Sequence, residues 1–384
     1  MFRSVGILRK MSTMESGRPD WPWKKAKKVA MMLSFSGKKY LGMQSNAFEY
    51  FSRNQGCSTV EEELLKALRD SGAIPPEWYD NASKSFFQRA SRTDKGVSAA
   101  KMVVSLKMLN EDGTRDKINA KLPSDIRVQD VKRVTKNFNS KNSCDARTYL
   151  YMLPTLAFAP IDSISDESYH ITSDVKVKVN ATLKLFEGSH YFHNYTSGKL
   201  PMEPSSLRFI TDFEMQEPFE RDGIEFAIIK VKGQSFMLNQ IRKMIGMAIA
   251  VVKGYASEPV IEESWGVQRI DIPRAPGLGL LLEEVHYERY NYKFGKDGLH
   301  DDLKWESVKD EVEKFKEDFI FSEIVDTERE EKSMITWMGN LLLHKFEPRH
   351  FEKDMKQFTP IEKAKALLKY DKKESNEKEI DDDS

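Results

Sequence analysis

The chain has 384 residues, of which 40% are hydrophobic, and its 60 basic side chains are matched by 60 acidic ones. Its cysteines are Cys57 and Cys144 alone, which excludes a disulfide framework or a thiolate zinc site and favours a reducing intracellular compartment. The longest uncharged apolar run, residues 244–252, falls short of the roughly 20 residues that a membrane-spanning helix needs. We therefore expect a soluble protein with no membrane partner.

The zero net charge conceals two oppositely charged parts. Residues 295–384 hold 17 basic and 25 acidic side chains, a net charge of −8, which leaves +8 on residues 1–294. A basic body suits a polyanionic partner, because neutralising phosphates releases counterions. Charge alone does not distinguish RNA from other polyanions.

Length and composition predict five segments, because the chain exceeds a single comfortable core. They are a disordered basic arm (1–28), a first lobe (29–160), which the resemblance given below makes the catalytic one, a second lobe (161–294), a charged helical extension (295–370) and a disordered acidic tail (371–384). The start of the arm is free of acids, as in a mitochondrial targeting peptide, and the lysine cluster at 24–28 fits a nuclear signal or an RNA-contacting patch. An ordinary solvated terminus is an equally good interpretation.

In chain order, the pattern predicts a strand over 29–36, a tight turn over 37–44 and a helix that begins with a capping box of Ser58 and Glu61. Further strands are expected at 102–106, 131–138 and 224–232, and the family resemblance given below implies that the second of them leads into the pocket. Residues 175–186 fit either an amphipathic helix or a strand, and residues 236–252 predict a helix with its apolar face inward. Beyond 295 we expect helices docked on the body.

The loop before the strand at 102–106 reads QRASRTDKGVSA (88–99) and places Asp94 between Arg92 and Lys95. An aspartate beside a glycine in a turn is usually structural, because its side chain bonds the local backbone. Further motifs follow downstream: ARTYLY (146–151), EGSHYFHNYT (187–196), QSFMLNQIRKMIG (234–246) and PRAPGLGLLLE (273–283). Taken singly, they read as core aromatics, a snorkelling arginine and a glycine-relieved turn, and two histidines three residues apart do not make a zinc site.

Together and in this order, these motifs closely resemble those of the TruA family of tRNA pseudouridine synthases, especially its eukaryotic branch, over about residues 29–292. The resemblance implies an α/β (α+β) fold with a central mixed, mostly antiparallel sheet flanked by helices, and two RRM-like lobes around a basic cleft. It implies an isomerase that flips a uridine out of the RNA and converts it to pseudouridine with no cofactor or metal.

The resemblance also assigns the site. Asp94 is expected to be the catalytic carboxylate, Arg242 to hold it ionised, and Tyr149 to stack on the uracil and help remove the C5 proton. Arg92 is expected to enter the RNA stack as the uridine leaves. Further candidates are Lys95, Arg89, Lys101 and His193 for RNA contacts, and Tyr151, Phe236 and Leu281 for the pocket. The expected partner is tRNA, with snRNA and mRNA as further candidates, for a monomer in the nucleus and also in the mitochondrion.

Two rival functions fit parts of the pattern. A non-catalytic RNA-binding protein with two RRM-like lobes explains the basic and aromatic residues but gives no reason for an Asp94–Arg242 pair. A glycoside or nucleoside hydrolase could use Asp94 as nucleophile, but such enzymes need a second positioned carboxylate. The sequence offers no candidate for that second group.

Overall fold

The computed structural model describes residues 25–44, 58–163 and 166–349, and their strands form one ten-stranded sheet. The strands are β1 (Lys27–Phe35), β2 (Gln88–Arg89), β3 (Ser98–Met108), β4 (Ile126–Arg133), β5 (Ala146–Pro154), β6 (Gly188–Tyr191), β7 (Leu207–Met215), β8 (Phe219–Arg221), β9 (Ile224–Gly233) and β10 (Leu280–His286). All pairs are antiparallel except β3 with β10. The predicted mixed, mostly antiparallel sheet is confirmed.

Helices flank the sheet and form the C-terminal part of the described chain. They are α1 (Val60–Asp70), α2 (Pro76–Tyr79), α3 (Thr114–Asn119), α4 (Ser173–Lys184), α5 (Gln240–Lys253), α6 (Pro259–Glu263), α7 (Glu288–Phe294), α8 (Lys309–Phe315), α9 (Ser322–Glu331) and α10 (Ser333–Gly339). A π-helical stretch, Lys316–Phe321, joins α8 to α9, and short 3-10 turns lie at Ala82–Ser85, Thr155–Phe158, His193–Tyr195, Pro204–Ser206, Glu306–Val308 and Leu341–Leu343. None of the helices in the described ranges has both the length and the apolarity to cross a bilayer.

Strand β10 joins the two halves of the sheet. The order is β4-β1-β3-β10-β5-β9-β7-β6, so the last strand in sequence inserts between β3 of the first half and β5 of the second. Leu282 aligns with Ala99 on one side and with Tyr149 on the other. This single row of residues brings the start of β3, and the loop that precedes it, next to the middle of β5.

The local sequence explains the principal elements. Strand β1 is buried throughout from Val29 to Phe35, and all of these residues except Ser34 are apolar. Neighbouring strands pair on both of its edges, and other elements cover its faces. Helix α1 begins after Thr59, whose hydroxyl accepts from the backbone N–H of Glu62 (3.3 Å), one residue later than the predicted Ser58 cap. Helix α5 is buried along most of its length, as its apolar pattern predicts.

Several predicted boundaries move. Strand β1 starts at Lys27, inside the predicted arm, and α5 starts at Gln240, because Asn239 is left-handed (φ 62°) and ends the preceding turn. The prediction of a pocket strand at 131–138 is wrong: β4 spans Ile126–Arg133 and is an edge strand that pairs with β1. Residues 173–184 are helical, which settles the ambiguity around Val175.

Residues 295–349, here called the extension, dock on the body, residues 25–294. Leu303, Trp305 and Val312 are buried, and Lys316 reaches Glu283 of β10 at 3.2 Å with both side chains largely covered. The extension is therefore packed against the sheet-bearing body. Residues 1–24 of the predicted arm (1–28), residues 350–370 of the predicted extension (295–370) and the whole predicted tail (371–384) lie outside the described residues, as does Cys57. Cys144 is a partly buried free thiol.

Candidate active site

Asp94 lies in the loop between β2 and β3, and the turn after β1 supports this loop from behind. Gly42 has φ +112°, and a Cβ there would stand 2.4 Å from the carbonyl oxygen of Thr93. A Cβ on Gly37 would meet the Val97 carbonyl at the same distance. The two backbones can approach this closely only because both positions are glycine. The predicted turn at 37–44 therefore fixes the position of the Asp94 loop.

A cavity of about 460 Å³ opens where this loop, β5, the turn before α5 and β10 meet. Its lining contains Ala90, Ser91, Arg92, Thr93, Asp94, Val97, Lys141, Arg147, Tyr149, Ser235, Phe236, Met237, Leu238, Asn239, Gln240, Ile241, Arg242 and Leu280. The three predicted catalytic residues thus share one cavity, although they are separated by up to 148 positions in the sequence. A volume of this size is typical of small-molecule sites.

Tyr149 is held in place by two neighbours. Its hydroxyl shares a hydrogen bond of 3.1 Å with the hydroxyl of Ser91, and the ring of Phe236 meets its ring edge to face with centroids 5.3 Å apart. Burial raises the pKa of Tyr149 above its usual value, and the bond to Ser91 opposes that rise. The side chain is therefore a neutral phenol at physiological pH. Because Ser91 donates its own proton to the carbonyl of Arg92 (3.0 Å), the phenol is the donor in the bond to Ser91.

Arg242 is anchored to the loop that precedes β10. Its Nε donates to the carbonyl of Ala275 (2.8 Å), and the site of a Cβ on Gly277 lies 3.6 Å from the guanidinium. Burial lowers the pKa of Arg242, as does Arg274, whereas the negative charge of Asp94 acts in the opposite direction. Among the described ion pairs there is none between Arg242 and Asp94, so the predicted pair is an electrostatic one across the cavity rather than a direct contact.

The charges of the cavity wall are unequal. Asp94 is the one carboxylate in the lining described above, whereas Arg92, Lys141, Arg147 and Arg242 contribute four cations. Two of these cations bond backbone carbonyls: Arg147 donates to Ala90 (2.7 Å) and Arg242 to Ala275. The cavity is thus an electropositive site with a single acidic group, suited to an anionic substrate.

The structure refines the predicted pocket residues. Phe236 lines the cavity as expected, but Tyr151 and Leu281 do not. Tyr151 is buried behind the wall, where its hydroxyl donates to the carbonyl of Pro276 (2.8 Å). Leu281 is fully buried and aligns with Leu150 and Ser98, and its neighbour Leu280 faces the cavity instead, because successive side chains of a strand point to opposite faces.

The side chains predicted to contact RNA differ in whether they are exposed, ion-paired or buried. Arg92 is exposed at the cavity and Lys95 is exposed beside it. Arg89 instead pairs with Glu61 at 2.7 Å and Lys101 with Glu284 at 3.7 Å. His193 cannot contact RNA with its side chain, because that side chain is fully buried and burial lowers its pKa to about 4.

The histidine segment at 187–196 belongs to the core of the second half. His190 Nε2 donates to the carbonyl of Glu187 (2.8 Å), and its ring stacks on Trp265 at 4.5 Å. Within the described ranges, no three His, Cys, Asp or Glu side chains are placed to hold a metal ion.

Sequence reasoning overlooked three residues of the cavity. Arg147 lies two positions before Tyr149 on β5 and therefore shares its face, a signal that strand periodicity carries. Ser91 stands inside the Asp94 motif, but its bond to Tyr149 joins residues 58 positions apart. Lys141 comes from a loop without any pattern that would identify it.

Comparison with known proteins places the chain in a family. Residues 182–288 match a family model described as tRNA pseudouridine synthase. A Mus musculus protein named pseudouridylate synthase 1 homolog is 50% identical over 339 residues, covering 87% of this chain and 78% of the relative. Its Homo sapiens namesake is 50% identical over 322 residues (83% and 74%), and tRNA pseudouridine synthase 1 of Yarrowia lipolytica is 33% identical over 390 residues (79% and 72%). The chain therefore belongs to the TruA-type family of tRNA pseudouridine synthases, which are isomerases, as the motif around Asp94 predicted.

Proposed function

We propose that the chain isomerises uridine to pseudouridine in tRNA, with Asp94 as the catalytic carboxylate. The observation that carries this proposal is the cavity itself, in which one carboxylate faces a phenol and four cations. The reaction breaks the bond between uracil N1 and the ribose, turns the base and rejoins the ribose through C5. It is redox-neutral and needs one group that can act as nucleophile or base, together with a surface that holds the detached base.

Each of these needs is matched by a described residue. Asp94 supplies the reacting group, and Arg242 lines the same cavity as the cation that interacts with it electrostatically. Tyr149 offers a flat face to the uracil, and its ring is kept in position by Phe236. Enzymes that act on a base generally extrude it from the stack, and Arg92 at the cavity mouth can replace the lost stacking, because guanidinium planes stack well on bases.

The hydrolase alternative is weakened by the lining of the cavity. Glycoside hydrolysis uses two carboxyl groups about 5–10 Å apart, and the lining supplies Asp94 alone. The non-catalytic alternative gives no role to a carboxylate in an otherwise cationic pocket. We therefore favour the isomerase over both.

We further propose that snRNA and mRNA are additional substrates, that the protein acts as a monomer, and that it works in the nucleus and also in the mitochondrion. Support for the location comes from sequence: an acid-free start and a lysine cluster at 24–28. A fluorescent fusion of the full chain, compared with one that starts at Met14, tests this. Loss of a mitochondrial signal in the shorter fusion is expected, and an unchanged distribution would contradict it.

The decisive experiment on the reaction is Asp94→Asn. We expect pseudouridine formation in tRNA labelled with tritium at uracil C5 to fall by about 10⁴-fold or more, because the side chain can no longer attack or accept a proton. Binding of tRNA should persist. Asp112→Asn, at an exposed loop position away from the cavity, is the matched control and should keep full activity.

The products distinguish the rivals. Free uracil released by the unaltered protein would support the hydrolase. Full tRNA binding with no tritium release from the unaltered protein would support the non-catalytic RNA-binding protein.

A further inference from the structure

A second basic concavity lies at the far end of the first half of the sheet. This basic pocket, a cavity of about 280 Å³, is lined by Ala26, Lys27, Lys28, Lys107, Arg133, Val134, Lys136 and His300. It is built from the start of β1 and the ends of β3 and β4, where Lys28 aligns with Lys107 and Val29 with Arg133. The Asp94 loop enters β3 at the other end, nine residues from Lys107, so the two sites lie about 30 Å apart at roughly 3.4 Å per residue.

The cations of the basic pocket have no acidic partners. Within the described residues, none of the side chains of Lys27, Lys28, Lys107, Arg133 and Lys136 forms an ion pair. Like charges directly across two strands destabilise a sheet. Burial, with Lys107 adding its charge, lowers the pKa of Lys28 to about 8. The folded chain therefore keeps these cations together at a cost that a bound anion would offset.

The carboxylates that border the basic pocket are already engaged. Asp297 bonds His300 at 2.6 Å, Asp302 lies 3.4 Å from Lys132, and Asp301 accepts the backbone N–H of Arg133 at 2.7 Å. They hold the loop that carries His300 and form no ion pair with the five cations. The anion that this pocket accommodates must therefore come from outside the described residues.

The lining also indicates the kind of anion. It contains five long cationic side chains but no aromatic ring apart from the imidazole of His300. Contacts of this kind bind phosphate groups and carry no base-specific information. The pocket is not simply a flat surface of solvated lysines. Lys28 is only 7% exposed, and its Nζ donates to the carbonyl of Phe86 (2.8 Å), so its position is fixed by the fold.

We propose that the basic pocket binds the phosphodiester backbone of the same RNA whose uridine enters the catalytic cavity, as a second anchoring point about 30 Å away. This inference rests on the proposed function only for the identity of the RNA. It predicts that a folded tRNA, which can reach both sites, is held by phosphates distant from the reacting uridine. The competing occupant is the acidic end of this chain, Asp381–Asp383.

The test is the salt dependence of tRNA binding by the full chain carrying Lys107→Gln and Lys136→Gln. Lys28 is left unchanged because it is buried. Each phosphate contact contributes about 0.7–0.9 to the slope of log affinity against log salt concentration, so we expect the slope to fall by about 1–2. The dissociation constant at low salt should rise about tenfold. The matched control, Lys66→Gln with Lys184→Gln, removes the same charge from exposed positions elsewhere and should leave pseudouridine formation unchanged.

Equal slopes for the pocket variant and the control would overturn the proposal. The acidic end is tested by Asp381→Asn, Asp382→Asn and Asp383→Asn in the full chain. If these changes strengthen tRNA binding only while the pocket is intact, the tail and the tRNA compete for the same pocket, which supports the proposal. If the pocket variant and the control still have equal slopes once the tail is neutral, the tRNA does not use the pocket and the proposal fails. If the tRNA binds with the expected slopes but contains no pseudouridine, the proposed function fails while the pocket stands. If pseudouridine forms but the pocket variant and the control have equal salt slopes, only the proposal about the basic pocket is refuted, and the proposed function stands.

Discussion

The catalytic cavity and the interface beneath the extension both concentrate cations, but among the described residues only the cations of the interface form ion pairs with carboxylates. Four cations of the body pair with acids of the extension: Lys38 with Glu323, Arg115 with Glu311, Lys132 with Asp302 and Arg221 with Glu317. In the cavity, the described contacts of Arg147 and Arg242 go to backbone carbonyls instead. A cation without a carboxylate partner is therefore the better guide to a surface that receives the phosphates of RNA.

This difference also explains the charge distribution along the sequence. The extension pairs with charges of both signs on the body, since its own Lys316 and Arg329 also bond Glu283 and Asp222, but it forms no described ion pair with the cations of the cavity or of the basic pocket. Surface ion pairs contribute little stability individually, so the extension is held mainly by its buried apolar side chains, among them Trp305, Val312 and Phe321. Under the proposed function, the cations that form no ion pair within the described residues are the ones available to the phosphates of RNA.

The largest effect expected from breaking this arrangement, beyond Asp94 itself, is that of Arg242→Lys. A lysine keeps the charge, but its single amine cannot both donate to Ala275 and face Asp94, as the guanidinium does. We expect turnover to fall by about 10³-fold, as when one preorganised donor is removed from a catalytic site. Binding of tRNA should be largely retained.

Single-turnover measurement of tritium release checks this. Arg274→Lys, an exposed arginine outside the cavity lining, is the matched control. If turnover were unchanged in Arg242→Lys, the assignment of the Arg242 guanidinium as the group that supports Asp94 would be wrong.

The next effect is expected at Gly42, which supports the Asp94 loop without touching substrate. In Gly42→Ala, the new Cβ would collide with the carbonyl of Thr93, 2.4 Å away, and displace the loop. Since a shift of about 1 Å in a reacting group can cost 10²-fold in rate, we expect a loss of that order.

The control is Gly72→Ala, which has a similar backbone strain (φ +74°) but open space around the new Cβ. Both variants should lose about 1 kcal/mol of stability from the left-handed conformation, and only Gly42→Ala should lose activity beyond that. If Gly42→Ala and Gly72→Ala lost activity equally, the cause would be the backbone strain that they share and not the collision of the Gly42→Ala Cβ with the carbonyl of Thr93.

The sequence predicts the parts of the site that depend on local pattern. One cavity contains the Asp94 loop, Tyr149 of β5 and Arg242 of α5. These residues could be predicted because each belongs to a motif with a recognisable strand or helix beside it. The unsuccessful assignments concern partners from distant elements. Arg89 meets Glu61 of α1 and Lys101 meets Glu284 of β10, and neither pairing can be inferred without knowing the strand order.

The insertion of β10 between β3 and β5 is the feature that local patterns cannot reveal. It is a pairing between distant segments, and it makes the one parallel contact among the described strands. It decides that Leu280 rather than Leu281 faces the cavity. The complete burial of His193 is similarly a property of the second half as a whole, not of the segment that contains it.

Glu328 is an exception within the extension, because it is buried and forms no ion pair with any described cation, and it gives a pH-dependent prediction. Its carboxylate accepts the backbone N–H of Met334 (2.9 Å), and burial raises its pKa to about 7. Since the folded pKa is above the unfolded one, the folded state holds the proton more tightly. Its stabilising contribution is full below the unfolded pKa and is lost as the pH rises towards and through 7.

Glu328→Gln should therefore make the chain more stable than the unaltered protein at pH 8, by about 1–3 kcal/mol, with the difference vanishing near pH 4.5. Urea unfolding at several pH values measures this. Glu330→Gln, an exposed neighbour that does not contribute to the raised pKa of Glu328, should show no such trend. A pH-independent difference for Glu328→Gln would exclude the titration as its cause.

The smallest expected effect, and the one that isolates a single bond of the cavity, is that of Ser91→Ala. The Ser91 hydroxyl orients the hydroxyl of Tyr149 through their 3.1 Å bond and opposes the rise in its pKa. A hydrogen bond of this kind contributes about 0.5–1.5 kcal/mol, so we expect the turnover number to fall about three- to tenfold while the KM for tRNA is kept. Ser91→Thr, which retains a hydroxyl, should restore most of the rate.

A double-mutant cycle with Tyr149→Phe separates positioning from direct catalysis by Ser91. If Ser91 acts only by orienting the phenol, its removal should have no further effect once the phenolic hydroxyl is absent, because the two residues are coupled through that one bond. An equal loss from Ser91→Ala in both backgrounds would mean that the serine acts on the substrate itself. The cycle therefore distinguishes a serine that positions Tyr149 from a serine that contacts the RNA.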